Sequence, residues 1–450
     1  MLYRLAHICL LAQIILAPIL LGGARGWAMG ILSILTGIGL IAISLSRTTA
    51  KPPLIPSYIR YIWLMIGLVS GWMILQSLPI WPSQPAPFNA DHIALYPHAW
   101  QGSVADLIWY AASLTLAALI AQTHPHRFIQ QVGVTIIFSA VVQVGLAALA
   151  DMMGWKTTFW FAKTAHLSDW TGSFANRNAF AVLMVLGMIA SLYCFMRQTS
   201  MSLGKRLDQQ GGWLALAMVF GFALLQSHSR SGLVIAGLCL MLFGCFHIPS
   251  SRRSHRALIG LGLAGIAAFG GVLIALTNPE FTARFADLAR RDLIQRDDAW
   301  ASAIDAIMAR PITGFGPGSI ARIMDHFATP GLNTDANWFS SHNIWLDVAL
   351  TLGIPMVLIV MTAALYAGVK TWRSTQSPNH RALFLAGICI FVLSASVGWV
   401  ITLPALILPL GLLWVGCAEA AVAARHREGH APADFWARSA LPDQSVPTKP

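Results

Sequence analysis

The chain alternates between long apolar runs and short polar turns, and this pattern predicts its architecture. A helix needs about 20 consecutive apolar residues to cross the hydrocarbon of a bilayer. Twelve runs reach or approach that length: 6–23, 26–45, 61–80, 103–121, 129–150, 179–196, 212–227, 231–247, 258–277, 343–369, 382–398 and 403–420. The sequence therefore predicts an all-α polytopic membrane protein with about 12 transmembrane helices.

One long segment, residues 278–341, is too polar to lie in a bilayer. Apolar residues recur in it at helical spacing, which predicts an amphipathic helix over 297–309 that ends before Pro311. A second short helix is expected over 319–328, with Ser319 as its N-cap. The predicted parts are membrane helices 1–9 in 1–277, a loop with amphipathic helices in 278–341, membrane helices 10–12 in 342–420 and a disordered, Pro- and Ala-rich tail in 421–450.

Composition and charge agree with a membrane protein. Charged residues make up 10% of the chain, against roughly 25% in soluble domains. Cytoplasmic loops carry an excess of Lys and Arg, and placing both termini in the cytoplasm puts most of these residues on that side. The long loop then faces outward. The net charge of +11 is explained by these anchors, so no nucleic-acid partner is predicted.

The long polar loop holds six arginines and no lysine. The planar guanidinium grips a phosphate through two parallel hydrogen bonds, which the lysine ammonium cannot do. Arg296 is the main candidate among the six. A surface ion pair with Asp292, one helical turn earlier, is an equal alternative.

Arg230 and His342 are candidates because of where they interrupt the apolar pattern. Arg230 lies between two apolar runs with almost no loop around it, and an ionisable residue at such depth indicates function by default. The alternative is that its side chain extends to the lipid headgroups. His342 opens an apolar run on the outward side, where an imidazole can take a proton from a hydroxyl near neutral pH. The alternative is that His342 has only a packing role, as a histidine at the start of a helix often does.

Metal and cofactor sites are not predicted. The six cysteines all fall in apolar runs without metal-like spacing. Asp297 and Asp298 are adjacent and would point about 100° apart on a helix, so they do not clamp one ion. Phosphate-loop, dinucleotide and zinc-protease motifs do not occur in the sequence.

A second outward segment, 151–178, is rich in tryptophan and phenylalanine. Such residues commonly lie at the headgroup level of the bilayer, and stacking on a sugar is the alternative.

Four elements, taken in order, resemble the O-antigen ligase and polymerase superfamily of bacterial membrane glycosyltransferases. They are Gly172-Ser173-Phe174-Ala175-Asn176-Arg177-Asn178, Ser229-Arg230-Ser231-Gly232, the stretch from Arg296-Asp297-Asp298-Ala299-Trp300 to Pro311-Ile312-Thr313-Gly314-Phe315-Gly316-Pro317-Gly318, and His342-Asn343. Each element is short, so the resemblance depends on their order and spacing over about residues 170–355. The first 150 residues match only in hydropathy.

The resemblance implies an enzyme of the bacterial inner membrane that acts on the periplasmic face and needs no metal or other cofactor. It would take a glycan from an undecaprenyl diphosphate carrier and place it on an acceptor hydroxyl of the lipid A core, within the surrounding membrane lipid. By matching position, Arg230 and Arg296 would contact the diphosphate and His342 would lie beside the acceptor hydroxyl. The residues implied to line the same cavity and bind substrate are Arg177, Asn178, Ser229 and Asn343.

Two other interpretations stay open on sequence alone. A polymerase of the same superfamily would use a second glycan repeat as acceptor, and a related enzyme would use a protein side chain. From a different class, a twelve-span transporter or a flippase for lipid-linked sugars also fits the hydropathy. Transporters of this size usually show related halves, whereas the motifs here concentrate in the second half of the chain.

Overall fold

The helices follow the apolar runs closely. A computed structural model describes residues 1–46, 55–82, 91–197, 203–247, 292–335 and 337–427. Within these ranges the helices are α1 (Leu2–Ile19), α2 (Gly26–Leu45), α3 (Ser57–Gln76), α4 (Trp100–Ala121), α5 (Pro125–Met152), α6 (Arg177–Met196), α7 (Leu203–Gln226), α8 (Arg230–His247), α9 (Asp292–Ala309), α10 (Ile320–His326), α11 (Ile344–Leu352), α12 (Ile354–Ser374), α13 (Pro378–Val397) and α14 (Pro404–Arg427). Two short 3₁₀ turns occupy Leu21–Gly23 and Val400–Thr402. The all-α prediction is confirmed.

Nine helices of the described ranges are long and apolar enough to cross a membrane, namely α1 to α6 and α12 to α14. The apolar part of α8, Arg230–Phe246, is shorter, and α7 begins at Leu203 with a polar first turn, nine residues before the predicted start at 212. These findings confirm a multi-pass membrane protein. The predicted span at 258–277, the start of the long loop and the end of the tail lie outside the described residues.

The predicted span 343–369 is wrong as a single helix. It divides into α11 and α12, because Gly353 between them has a φ of +82° and a ψ of 160°. Such a conformation is essentially limited to glycine. Hydropathy does not register this break, because the residues on both sides of it are apolar.

We expect Gly353→Ala to destabilise the folded protein by about 2–4 kcal/mol, because alanine is strained at this φ and its Cβ would collide with the carbonyl oxygen of Ile312. The measurement is the midpoint of thermal unfolding in detergent. Gly368→Ala within α12 is the matched control, since a Cβ there meets nothing within 4 Å. Equal midpoints for the two variants would contradict the stated role of Gly353.

The longer loops gather at one end of the helix bundle. Trp160 Nε1 donates a hydrogen bond to the carbonyl of Ile19 at 2.6 Å, and Gln76 Nε2 donates to the carbonyl of Thr313 at 2.7 Å. Contacts of this kind bring together the segments 20–25, 77–82, 91–99, 153–176, 227–229 and 310–335, which we call the long-loop end. These are the segments predicted to face outward.

The polar insertion forms a small core of its own at this end. α9 is the predicted amphipathic helix, and it buries Ala299, Ala303 and Ala306 against Leu350 of α11. Ser319 precedes α10, but its hydroxyl donates to the carbonyl of Gly316 at 2.6 Å and makes no capping hydrogen bond. Ser319 is therefore the N-cap residue of α10, as predicted, although its side chain accepts no hydrogen bond from the first turn of the helix.

Candidate functional site

The turn between α7 and α8 and the start of α6 form one hydrogen-bonded unit. The buried Ser229 hydroxyl donates to Asn178 Oδ1 at 2.7 Å, across 51 positions of sequence. Asn176 caps α6 by accepting a hydrogen bond from the Asn178 amide at 2.7 Å. The structure thus brings together two predicted substrate-binding residues, Asn178 and Ser229. Their contact with a substrate stays a prediction.

This hydrogen-bonded unit is anchored by the carboxylate of Asp169, which the sequence analysis did not predict as a site residue. The side chain of Asp169 is 2% exposed; Arg177 Nη1 lies 3.1 Å from its Oδ2 and His228 Nδ1 lies 3.0 Å from its Oδ1. His166 Nδ1 is a third basic neighbour at 3.4 Å. A buried carboxylate is stable only when paired in this way. One feature of the sequence could have pointed to this residue, since Asp169 is the only acidic residue between residues 152 and 178.

This pairing changes the expectation for Arg177. One arm of its guanidinium is held by Asp169, so much of its charge is already balanced. Its Nε is buried and makes no hydrogen bond to any described residue. A substrate contact of Arg177 stays a prediction and would use that remaining donor. The primary role that the geometry supports is to hold the 169–178 segment against the α7–α8 turn.

Replacing Asp169 by asparagine is expected to lower the free energy of unfolding by about 1–3 kcal/mol, because Arg177 loses its ionic partner and His228 loses its carboxylate hydrogen-bond partner in a partly buried setting. The thermal unfolding midpoint in detergent measures this. Asp151→Asn, at an exposed position near the end of α5, is the matched control. A midpoint equal to that of the control variant would show that Asp169 anchors nothing.

His228 and His342 share an uncommon backbone conformation, with φ of +51° and +59° respectively. Positive φ outside glycine is uncommon and concentrates at functional sites. His228 immediately precedes Ser229 and Arg230. Because an ionised carboxylate only accepts hydrogen bonds, Nδ1 of His228 is the donor toward Asp169.

The backbone around His342 is held from both sides. Asp347 accepts hydrogen bonds from the hydroxyls of Ser340 and Ser341 at 2.5 and 2.6 Å and from the Ser341 amide at 2.7 Å. Burial raises the pKa of the Asp347 carboxyl, and these hydrogen bonds lower it in part. The His342 ring meets Trp338 edge to face, with ring centroids 5.9 Å apart. The imidazole is therefore positioned by a fixed frame.

Asn343 is engaged as the N-cap of α11. Its Oδ1 accepts hydrogen bonds from the amides of Trp345 and Leu346 at 3.0 and 3.3 Å. Asparagine is a preferred N-cap residue, so this role accounts for its side-chain oxygen. A contact between Asn343 and substrate stays a prediction. The side-chain amide nitrogen of Asn343 would make that contact.

Arg296 and His342 lie toward the same end of a helix pair. α9 and α11 pack together and run in the same direction, because the amide of Ile354 donates to the carbonyl of Pro311 at 2.8 Å and joins their carboxyl ends. Arg296 is on the first turns of α9 and His342 directly precedes α11. Both side chains are partly buried.

Arg230 lies at the level where α11 begins. Cys239 of α8 meets the carbonyl of Ala386 in α13 at 3.7 Å, and the two helices are antiparallel. Arg230 lies nine residues before Cys239 in α8, and Ser396 lies ten residues after Ala386 in α13. Each separation is about 14–15 Å along a helix, so Arg230 and Ser396 lie at about the same level. Trp345 Nε1 of α11 donates to the Ser396 hydroxyl at 3.0 Å. The three predicted catalytic residues thus share the long-loop end, while their chemical roles stay predictions.

Other polar groups of the insertion have structural partners. Arg310 donates to the carbonyl of Ile93 at 3.2 Å and lies over the ring of Phe315 at 4.8 Å, and burial lowers the pKa of its guanidinium. Asp298 accepts a hydrogen bond from Thr329 at 2.9 Å. Within the ranges that the structure describes, no group of three or more His, Cys, Asp or Glu is arranged to hold a metal ion.

Comparison with known proteins gives one finding on family. Residues 213–361 match a family model described as O-Antigen ligase. The matched segment contains Ser229, Arg230, Arg296, His342 and Asn343, and it leaves out the start of α6. The chain has no match among the curated proteins. The resemblance predicted from the sequence motifs is confirmed.

Proposed function

We propose that this chain moves a glycan from undecaprenyl diphosphate to an acceptor hydroxyl, since its residues 213–361 match a family model described as O-Antigen ligase. The reaction takes place at the long-loop end, on the periplasmic side of the inner membrane. The observation that carries the proposal is that Arg230, Arg296 and His342, which come from three separate segments, lie at one end of the bundle within the matched region.

The two arginines serve the leaving group. When the acceptor oxygen attacks the anomeric carbon, the bond between that carbon and the phosphate oxygen breaks, and its electron pair leaves with the diphosphate. The negative charge on the leaving group therefore grows toward the transition state. Guanidinium groups fixed by α8 and α9 stabilise that charge more than they stabilise the bound donor, which is the requirement for catalysis.

His342 serves the acceptor. As the new bond to the anomeric carbon forms, the acceptor hydroxyl must lose its proton, and the imidazole of His342 takes it. The hydrogen bonds from Ser340 and Ser341 to Asp347 keep the backbone before this residue in place. Direct displacement of this kind inverts the configuration at the sugar.

Transfer is tested with purified protein in detergent, an undecaprenyl-diphosphate-linked glycan and an acceptor. The proposed function requires release of undecaprenyl diphosphate together with glycan covalently attached to the acceptor. A flippase or transporter would give neither product in detergent. The absence of both products, with a protein whose thermal unfolding is cooperative, would rule out the proposed reaction.

The acceptor is tested by deleting the gene and examining the cell-surface glycan. A ligase acting on the lipid A core predicts loss of all attached polymer and accumulation of carrier-linked chains. A polymerase predicts single attached repeats. We propose the ligase activity, because the compact loop motifs fit it, and single attached repeats in the deletion strain would contradict this choice.

A further inference from the structure

A cavity of about 440 Å³ opens at the end of the bundle opposite the long-loop end. Tyr3 in the first turn of α1 donates a hydrogen bond to the carbonyl of Ile120 in the last turn of α4 at 2.9 Å, which places the cavity between α1, α4 and α5. It contains none of the residues of the candidate site. Its function is therefore a separate question from glycan transfer.

Apart from Tyr3, the ionisable side chains that line this cavity are basic. Arg4 and His7 come from α1, while His124 and Arg127 come from the start of α5, and none of the lining residues is acidic. Both arginines are exposed at the rim. Among the described residues, neither arginine takes part in an ion pair. Two guanidinium groups from different helices thus border one opening.

Inside the cavity, one buried polar atom lacks a protein partner. The His7 ring stacks on Phe128 with centroids 6.1 Å apart, and its Nε2 is buried with no hydrogen bond to any described residue. Buried polar atoms are nearly always hydrogen-bonded, because leaving one unpaired is unfavourable. An oxygen atom of a bound molecule would satisfy this nitrogen.

The cavity continues into a groove along the outer face of α5. A second cavity, also about 440 Å³, shares Leu11, Arg127 and Gln131 with the first and extends to Val134. Beyond it, Val134, Phe138 and Val141 are 37%, 54% and 39% exposed, and their spacing of four and three residues keeps them on one helix face. A basic opening is therefore followed by an apolar strip that leads toward the middle of the bundle.

We propose that this groove binds an anionic phospholipid. The phosphate lies between Arg4 and Arg127 and contacts His7 Nε2, and an acyl chain follows Leu11 and the Val134 face of α5. Basic pockets between transmembrane helices recognise lipid headgroups in this way, through charge and hydrogen bonds at the membrane surface. Arginines that merely extend into the headgroup region would require neither the cavity nor the unpaired His7 nitrogen beneath them.

The test is native mass spectrometry on the full-length protein, delipidated in detergent and titrated with phosphatidylglycerol or with phosphatidylcholine of the same acyl chains. We expect phosphatidylglycerol to bind about tenfold more tightly than phosphatidylcholine. The double variant Arg4→Gln with Arg127→Gln should lose about that factor for phosphatidylglycerol. The matched control, Arg60→Gln with Arg197→Gln, changes two exposed arginines outside the cavity and should bind like the parent protein.

Equal lipid affinity in the cavity variant and the control variant would overturn the proposal. Displacement of the lipid by millimolar inorganic phosphate would also overturn it, because the site would then recognise a free anion. His7→Phe keeps the ring contact with Phe128 and removes Nε2, so it tests the site with less change in charge. A loss of about fivefold in phosphatidylglycerol affinity is expected for it, and an unchanged affinity counts against the proposal.

Discussion

Arg230→Ala is expected to reduce kcat for glycan transfer by about 100- to 1000-fold, and Arg296→Ala by a similar factor. Each guanidinium acts on charge that develops only as the diphosphate leaves, so its loss should appear in kcat more than in KM. Arg230→Lys should recover little of the activity, because the ammonium lacks the planar pair of donors that fits a phosphate. The measurement is the rate of undecaprenyl diphosphate release by purified variants.

The control for this prediction is Arg322→Ala. Arg322 belongs to the same polar insertion but is exposed on α10, so its removal should leave kcat and KM unchanged. The thermal unfolding midpoints of all variants should stay close to that of the parent protein. If both Arg230→Ala and Arg296→Ala transfer glycan within about twofold of the parent rate, the loss expected for a catalytic donor is missing. These arginines would then have no part in the mechanism.

His342→Asn is expected to reduce kcat by about 100- to 10,000-fold, because the acceptor hydroxyl loses the group that takes its proton. Asparagine is the informative replacement here. It tolerates the positive φ of 59° at this position better than alanine does, so the fold should be retained. The assay again follows undecaprenyl diphosphate release with acceptor present. His326→Asn, at an exposed position at the end of α10, is the matched control.

A comparison with His228→Asn separates the roles of His228 and His342, which both have positive φ. His228 is held by Asp169 at the α7–α8 turn, and its loss should weaken the frame around Arg230 with a smaller effect on kcat than His342→Asn. If His228→Asn abolishes transfer while His342→Asn leaves it intact, the proton acceptor has been assigned to the wrong histidine.

Hydropathy predicted the membrane helices because a bilayer imposes a length and an apolar composition on each one. It failed at Gly353, where the chain turns within an apolar run on account of backbone conformation. Helix α7 begins before the apolar run predicted at 212, because its first turn is polar and does not need to lie in hydrocarbon.

The candidate site was predictable where a residue type stands out against its local sequence. Arg230 and His342 interrupt apolar runs, and Arg296 belongs to a loop without lysine. Asp169 was not found, because its partners Arg177 and His228 lie 8 and 59 positions away and only the fold brings them together. The side-chain oxygen of Asn343 caps α11, a local role that the N-cap preference of asparagine indicates, while its substrate contact stays a prediction.

The most direct test of the account is a structure determined by electron cryomicroscopy with undecaprenyl diphosphate bound in a lipid nanodisc. We expect the diphosphate to lie at the long-loop end, with oxygens about 3 Å from the guanidinium groups of Arg230 and Arg296 and with the His342 ring facing the space beside it. A diphosphate bound elsewhere, or one contacted by neither arginine, would contradict it.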